Sequence, residues 1–145
     1  MRYIGFEREE EAESWARALL KLEHAPEFFR AAAAVDAAGE FICVVVMTNF
    51  TSRNVDLNIA IAPDKKMLPR ATVQMFNEIF GFLFTKLKAA RVTGLVRGSN
   101  AACARACQHF GFQLEGVMRR AFPDDDLHVY GFLAEEYHAH RWCRG

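Results

Sequence analysis

The sequence lacks an excess of charge of either sign. Its 145 residues include 18 lysines and arginines and 18 aspartates and glutamates, so the formal net charge is zero. A chain without a net field is not drawn by electrostatics to nucleic acid or to an anionic membrane. We therefore expect neither as a partner, and recognition of phosphate groups must be local.

The chain also lacks an apolar signal region and any apolar run long enough to cross a bilayer. Cysteines are few, and Cys43 lies in the apolar run at residues 41–47, which predicts a buried strand position. Cys103 and Cys107 lie four residues apart on one predicted helix, a poor geometry for a disulfide bond. These features predict a reduced, cytoplasmic protein.

No linker, repeat or low-complexity tract interrupts the sequence. With 52% hydrophobic residues, the chain has enough apolar material for one well-buried core. We expect a single domain over residues 1–145.

Metal-binding signals are sparse. His138, His140 and Cys143 lie close together, but without a second cluster they do not form a zinc signature. The acidic run at residues 124–126 lacks the spacing of a calcium loop and is expected to be a turn. We predict no metal site.

Hydrophobic periodicity divides the chain into strands and helices. The first part is predicted to form a strand at 3–6, a helix at 9–23, one or two helical turns after Pro26, and strands at 32–36, 40–49 and 54–62. The second part is predicted to form a helix at 69–88, a strand at 91–96, a helix at 99–110, hairpin strands at 112–122 and 127–132, and a tail that is helical to residue 142. The strand–helix–strand crossover implies a parallel pair. The fold class is therefore α/β or α+β, with a mixed central sheet and helices on both faces.

Short motifs follow this crossover in a set order. Asn100 is followed by Gly111-Phe112, Glu115-Gly116 and Arg119, and the chain closes with Asp126, Tyr130, Gly131 and Glu136. Over about residues 54–137 this order resembles the GNAT superfamily of acetyltransferases. The closing segment resembles the branch related to ribosomal-protein N-terminal acetyltransferases.

The resemblance implies a cofactor and a place for it. In a GNAT-like domain the parallel strands, here 54–62 and 91–96, splay apart and form a cleft for acetyl-coenzyme A (acetyl-CoA). The pantetheine arm lies there like an added strand, and the pyrophosphate rests on the N-terminus of the helix that begins near Pro69. Backbone N–H groups of Ile59, Ala60 and Ile61 are the expected donors to the thioester carbonyl.

The chain departs from the family's phosphate-binding motif, Arg/Gln-x-x-Gly-x-Gly/Ala. All three signature positions differ, and no glycine remains to let the backbone approach phosphate closely. Either Lys65, Lys66 and Arg70 supply side-chain charge instead, or these are solvated loop charges. The candidate cofactor-binding residues of this loop are Lys66, Met67, Leu68, Pro69, Arg70, Ala71 and Thr72.

Two polar residues share one face of the strand at 54–62, which should be apolar on both faces. Asp56 is a candidate base for the amine, directly or through water, and Asn58 is a candidate for orienting the substrate. The alternative is that this end of the strand opens to solvent.

The helix at 99–110 carries further candidates. Cys107 stands where many relatives have a tyrosine as general acid, and Cys103 lies one turn earlier. A thiol can transfer a proton, but the favoured interpretation is that both cysteines are small packing residues against the cofactor arm or the core. Cys103 is therefore a candidate cofactor-binding residue. Tyr130 is the other candidate acid. Asn100 can cap the helix, and the resemblance adds a hydrogen bond to the cofactor arm.

The first hairpin strand carries exposed-looking charges. Glu115, Arg119 and Arg120 alternate with apolar residues. They either form ion pairs on a solvated face or line the acceptor cleft.

Taken with the resemblance, the sequence predicts an acetyl-CoA-dependent N-acetyltransferase that acts by direct attack of a primary amine. The amine belongs to a protein N-terminus or a small molecule, and the enzyme is a monomer or a homodimer. The alternative is a catalytically inactive GNAT-like module that binds CoA or a protein partner. The loss of the glycines and of the tyrosine favours this alternative.

Overall fold

The computed structural model describes residues 1–139. The strands are β1 (Arg2–Gly5), β2 (Arg30–Val35), β3 (Phe41–Thr48), β4 (Asn54–Ile61), β5 (Arg91–Arg97), β6 (Gln113–Phe122) and β7 (Asp125–Leu133). The helices are α1 (Glu9–Leu19), α2 (Pro69–Phe80), α3 (Ala101–His109) and α4 (Ala134–Ala139). The strands form one sheet in the order β1-β2-β3-β4-β5-β7-β6. Among the described residues, no helix combines the length and apolar character that a membrane crossing requires.

The crossover through α2 produces the parallel pair in this sheet. β4 and β5 run parallel, whereas every other neighbouring pair of described strands is antiparallel. The β4–β5 ladder joins residues 54–57 to residues 91–94 and then stops. Residues 58–61 remain paired with β3, and residues 95–97 remain paired with β7. The two strands therefore splay toward their carboxyl ends, as predicted.

Helices cover both faces of the sheet, which confirms the predicted fold class. On the first face, the α1 face, Ala12 and Ala16 pack against small and β-branched residues of β2, β3 and β4. On the opposite face, the α2 face, the side chains of α2 and α3 pack with Leu57, Val92 and Val96. Because strand residues alternate between faces, the side chains of successive β4 residues point to opposite faces of the sheet.

Aromatic side chains fill the core of the α2 face. The ring of Phe80 is fully buried. Its neighbours, with ring centroids 5.3 to 6.2 Å away, are Phe76, Phe84, Phe110, Phe112, Phe132 and Tyr137. The rings of Phe76 and Phe110 stack at 4.1 Å and join α2 to α3.

Helix α1 is shorter than the predicted helix at 9–23. Lys21 adopts a positive φ of 57°, and the N–H groups of Lys21 and Leu22 bond back to Ala18 and Arg17 carbonyls. This is a Schellman ending with lysine where glycine is usual. Leu22, which fits the helical period, lies beyond the helix.

The predicted helical turns after Pro26 are absent. Residues 20–29 contain no helix, and Phe28 is 76% exposed while Phe29 packs against the α1-face core. A short segment with one apolar anchor has no buried face to stabilise a helix.

The long helix also differs from its prediction at 69–88. After Phe80 the chain continues as a π-helical segment, Gly81–Lys86, in which Leu83 and Phe84 are buried. Lys88 then adopts a positive φ of 57° and ends the helical run. The other helix and strand bounds agree with the prediction to within two residues. The tail beyond residue 139, including the predicted helix to residue 142, lies outside the described residues.

The cysteine predictions are confirmed where they can be checked. Cys43, Cys103 and Cys107 are buried free thiols. Cys143 and His140 lie outside the described residues. Residues 123–124 form the turn of the β6–β7 hairpin, so the predicted turn is confirmed for Asp124, whereas Asp125 and Asp126 already lie in β7.

Candidate functional site

The splayed carboxyl ends of β4 and β5 open into a cavity of about 270 Å³, which we call the gap-mouth cavity. Ile61 lines it from β4, Arg97 from β5, and Asn100 from the start of α3. In open α/β sheets, ligands bind at such carboxyl ends. The fold thus places a cleft where the sequence predicts one.

The edge of β4 in this gap carries free backbone groups. Ala62 N–H donates to the Ile42 carbonyl of the neighbouring chain segment at 2.8 Å. Because N–H directions alternate along a strand, the N–H groups of Ile59 and Ile61 point away from β3 and into the gap. That of Ala60 points toward β3, which corrects its predicted role as a donor. Ile59 and Ile61 are therefore the two backbone donors available.

The N-terminus of α2 lies beyond the end of β4. Pro69 occupies the first turn, and the Thr72 N–H makes a helical bond to the Leu68 carbonyl at 2.9 Å. Arg70 and Ala71 therefore carry the first-turn N–H groups that lack a helical acceptor. The Leu68 N–H donates to the Met1 sulfur at 3.3 Å, and the Thr72 hydroxyl donates to the Leu68 carbonyl at 2.8 Å. Two backbone amides and the helix dipole remain for an anion.

The loop cations have different surroundings. Lys65 donates to Asp36 at 2.6 Å and to Glu40 at 2.8 Å, so its charge is neutralised by the β2–β3 turn. These bonds raise the pKa of Lys65, and the bond from Lys65 lowers the pKa of Asp36. Lys66 and Arg70 are exposed and have no ion-pair partner in the described part of the chain. The side-chain charge for phosphate is thus reduced to Lys66 and Arg70.

Asn100 caps α3, as predicted. Its Oδ1 accepts the Cys103 N–H at 3.1 Å. Its Nδ2 has no bond to any described residue, so the amide can still donate a hydrogen bond into the gap-mouth cavity that it lines. One side chain thereby serves the helix and faces the cleft.

Cys107 and Tyr130 lie on the α2 face at the point where the strands separate. The last ladder pair is Leu57 with Gly94, Tyr130 is opposite Gly94, and a Cβ on Gly94 would lie 3.4 Å from the Cys107 sulfur. A hydrogen bond with Cys103 and burial raise the pKa of the Cys107 thiol. This environment favours a packing role for Cys107 and makes it a poor proton donor.

Asp56 and Asn58 lie on the α1 face. Asp56 accepts hydrogen bonds from the side-chain amides of Asn49 at 3.1 Å and Asn54 at 2.8 Å. Asn58 is half-buried, and its side chain has no hydrogen bond to a described residue. The four predicted catalytic residues therefore divide between the two faces, two on each side of the gap.

The hairpin charges are partly explained by pairing. Glu115 forms an ion pair with Arg91 at 2.6 Å. This agrees with the ion-pair alternative of the sequence analysis. Arg119 and Arg120 are exposed, and the Arg120 N–H donates to Asp126 at 2.8 Å.

Two further cavities adjoin the gap mouth on the α1 face. The helix cavity, of about 280 Å³, lies between α1 and the sheet and is lined by Glu13, Arg17 and Asn58. The hairpin cavity, of about 530 Å³, lies between the loop after α1 and the β6–β7 turn. Leu20 lines both the gap-mouth and helix cavities, and Arg97 lines both the gap-mouth and hairpin cavities.

The sequence prediction missed three charged residues of these cavities. Glu13 is only 6% exposed and bonds to Arg17 at 3.1 and 3.2 Å. Its spacing to Ala16 and Leu20 places it in the apolar stripe of α1, which is a readable signal. Arg97 follows the last buried residue of a parallel strand, and ligands favour that end of such strands.

The fold is similar to solved structures of acetyltransferases. The spermidine/spermine N-acetyltransferase SpeG from Vibrio cholerae, in a complex with manganese ions, superposes with a TM-score of 0.68 at 17% identity, covering 93% of each chain. The same organism's spermidine N-acetyltransferase in complex with CoA and spermine gives 0.62 at 21% identity, over 77% of this chain and 69% of that one. A GNAT-family acetyltransferase from Bacillus anthracis gives 0.60 at 15% identity, over 73% and 67%. The chain has the GNAT fold.

This GNAT fold was recognisable from the motifs at residues 54–137. The structure confirms the mixed sheet, the helices on both faces and the splayed strands that the resemblance implied. No family model matches the chain, and no curated protein matches it in sequence. The likeness therefore lies in the three-dimensional structure.

Proposed function

We propose that the protein is an N-acetyltransferase that transfers an acetyl group from acetyl-CoA to a primary amine. The observation that carries the proposal is the gap between β4 and β5, whose β4 edge presents the N–H groups of Ile59 and Ile61. An open edge inside a sheet accepts an extended ligand by strand addition. Solved structures of the same fold are N-acetyltransferases, and one of them contains CoA and spermine.

The residues around the gap can be matched to successive parts of the cofactor. Asn100 Nδ2 donates to the amide-containing arm, while the free N–H groups of Arg70 and Ala71 receive the pyrophosphate. The Arg70 side chain and Lys66 add positive charge in a loop that has lost its glycines. Backbone dipole and side-chain charge together replace close backbone cradling.

The groups that carry out the acetyl transfer lie on both faces of the sheet. The neutral amine attacks the thioester carbonyl, and the N–H group of Ile59 stabilises the oxyanion, while that of Ile61 binds the cofactor arm. Asp56 takes the proton of the amine through a water held by Asn58, and Tyr130 gives a proton to the departing thiolate. The carbon–sulfur bond breaks as the amide forms, with no covalent acetyl-enzyme.

The acceptor is a small amine on this reading. The gap-mouth and helix cavities measure about 270 and 280 Å³, slightly below the roughly 300 Å³ at which pockets for drug-sized ligands begin, so each has room only for a small acceptor. Acetylation of a protein N-terminus, which the sequence resemblance to the ribosomal-protein branch suggests, would engage the hairpin cavity instead. Turnover of a short peptide in preference to small amines would favour that alternative.

A second candidate function is a binding module without turnover. The buried Cys107, with its raised thiol pKa, stands where many relatives of the fold have a tyrosine acid. If Tyr130 does not act as the general acid in place of that tyrosine, the protein binds CoA and transfers no acetyl group.

Cofactor binding is tested by calorimetric titration of acetyl-CoA into the protein and two variants. Arg70→Ala removes a charge-assisted phosphate contact and is expected to weaken binding about tenfold or more. Lys65→Met removes a cation of the same loop that is already paired with Asp36, so affinity should change less than about twofold. Absence of acetyl-CoA binding at millimolar concentration would rule out both candidate functions.

Turnover is tested by following thiol release from acetyl-CoA with a panel of primary amines. We expect release that depends on the amine and a slower rate for Tyr130→Phe, because the phenylalanine cannot donate a proton to the thiolate. Binding of acetyl-CoA without thiol release for any amine would leave the binding module as the function.

A further inference from the structure

Arg97 lies at the mouth of the gap and lines the gap-mouth cavity. It is the last residue of β5, in the stretch that has no β4 partner. Its side chain is 17% exposed, and its guanidinium carbon lies 3.6 Å from the centre of the Phe122 ring. The guanidinium is thus held in place by stacking at the border of two cavities.

The hydrogen bonds of Arg97 leave part of its donor capacity unused. One terminal nitrogen donates to the carbonyls of Leu20 and Lys21, each at 3.3 Å. The other approaches Asp124 at 3.5 Å, and Asp124 is 84% exposed. A guanidinium has five N–H donors, so two have no partner among the described residues. Charge-assisted pairs with carboxylates are normally shorter than the one to Asp124.

The gap-mouth cavity has more positive than negative charge. Lys21 and Arg97 line it with one carboxylate, Asp124. In the adjoining helix cavity, the carboxylate of Glu13 is already paired with Arg17. A polyamine carries several ammonium groups and would meet an excess of cations beside the gap.

We propose that the acceptor is a primary amine that also carries a carboxylate, as an α-amino acid does, and that Arg97 binds this carboxylate. The carboxylate accepts from Nη1, which has one unused N–H and whose contact to the exposed Asp124 is long. The amine then points from Arg97 into the gap, toward Asn58 and Ile59, where the acetyl group is presented. This inference rests on the proposed N-acetyltransferase function and specifies its substrate class.

Matched pairs of amines test the substrate class. Phenylalanine is compared with phenethylamine, and ornithine with putrescine, because the members of each pair differ only in the α-carboxylate. Spermidine is included as a polycation. At saturating acetyl-CoA, kcat/KM should be about tenfold or more higher for each carboxylated member, the value of a hydrogen-bonded charged pair. Equal or faster turnover of the decarboxylated amines or of spermidine would overturn the inference while leaving the acetyltransferase function intact.

Substitutions of Arg97 test whether this residue binds the carboxylate of the acceptor. Arg97→Gln should lower kcat/KM for the amino acids about tenfold and leave that for phenethylamine and putrescine within about twofold. Arg97→Lys keeps the charge without the planar guanidinium that stacks on Phe122 and should give an intermediate loss. Arg105→Gln, at an exposed arginine of α3, is the matched control and should change neither class.

Two controls separate the possible failures. The affinity for acetyl-CoA and the melting temperature of Arg97→Gln are measured alongside its kinetics. A weaker affinity for acetyl-CoA with an unchanged preference among amines would assign Arg97 to the cofactor and overturn the inference. A lack of turnover with every amine would instead contradict the proposed enzyme itself.

Discussion

At the residue scale, Asn100 has two roles that a pair of substitutions can separate. Asn100→Ala removes the α3 cap and should lower the free energy of unfolding by about 0.5–2 kcal/mol. Asn100→Asp keeps an oxygen acceptor for the Cys103 N–H, so most of that stability should return. It also lacks the Nδ2 donor, and acetyl-CoA affinity should stay low. Urea unfolding and calorimetry measure the two effects, and restored affinity in Asn100→Asp would contradict the cofactor role of the amide.

Individual side chains show where sequence reasoning is reliable. The cap of Asn100 is local, since it depends on residues three positions apart, and it was predicted correctly. The ion pairs of Lys65 reach 25 and 29 residues back along the chain, and nothing near Lys65 in the sequence indicates them. Roles that depend on one element can be predicted, whereas roles that depend on distant partners cannot.

At the scale of elements, Asp125 fastens the loop before α3 to the β6–β7 hairpin. Its carboxylate accepts the Ser99 hydroxyl at 2.6 Å and the Ser99 N–H at 2.9 Å, and these bonds lower its pKa. The stabilisation is therefore present above the ordinary pKa of 3.8 and is lost as pH falls through the lowered folded value.

The corresponding experiment compares Asp125→Asn with the unchanged protein. The variant should unfold at lower urea concentration near neutral pH, because the amide is a weaker acceptor than the carboxylate. The difference should begin to shrink below about pH 3.8, where Asp125 of the unfolded chain takes up a proton, and should disappear once the folded carboxylate is protonated at its lowered pKa. Asp124→Asn, at a more exposed carboxylate, serves as the control. A difference between the proteins that does not vary with pH would contradict the role of the charge.

Element ends were harder to predict than element types. The apolar period continues to Leu22, yet α1 ends at Leu19 because Lys21 turns into the left-handed region and Arg97 binds the last carbonyls. The hydrophobic periodicity shows which residues of the helix are apolar. It cannot show where α1 ends, because that end depends on Arg97, a strand residue 77 positions away from Leu20.

At the scale of the whole molecule, Phe80 connects α2, the end of α3, α4 and strand β7 through its ring contacts. Phe80→Ala should destabilise the protein by about 3–5 kcal/mol, because the cavity it leaves is surrounded by fixed rings. Phe28→Ala, at a phenylalanine that is 76% exposed, should change stability by less than about 0.5 kcal/mol. Urea unfolding followed by tyrosine fluorescence and by circular dichroism measures both. A small loss for Phe80→Ala would show that this core relaxes around the deletion.

The fold as a whole was more predictable than its site. One long amphipathic helix between two apolar strands is enough to imply the parallel crossover, and the motifs after it indicate the GNAT fold. The cavities on the α1 face are built from Glu13, Leu20, Arg97 and Asp124, which no sequence pattern brings together.

The contacts of Arg97 also bear on the order in which the protein folds. Its partners Leu20 and Asp124 precede and follow it by 77 and 27 residues, whereas β2, β3 and β4 pair as consecutive neighbours along the chain. Local pairings form before contacts that close long loops. During synthesis the antiparallel strands can therefore assemble early, while the rim of the cleft must wait until the hairpin has left the ribosome. A chain truncated before Gln113 would contain those first strands and lack Asp124 and Phe122, the hairpin residues that contact Arg97 at the rim of the cleft.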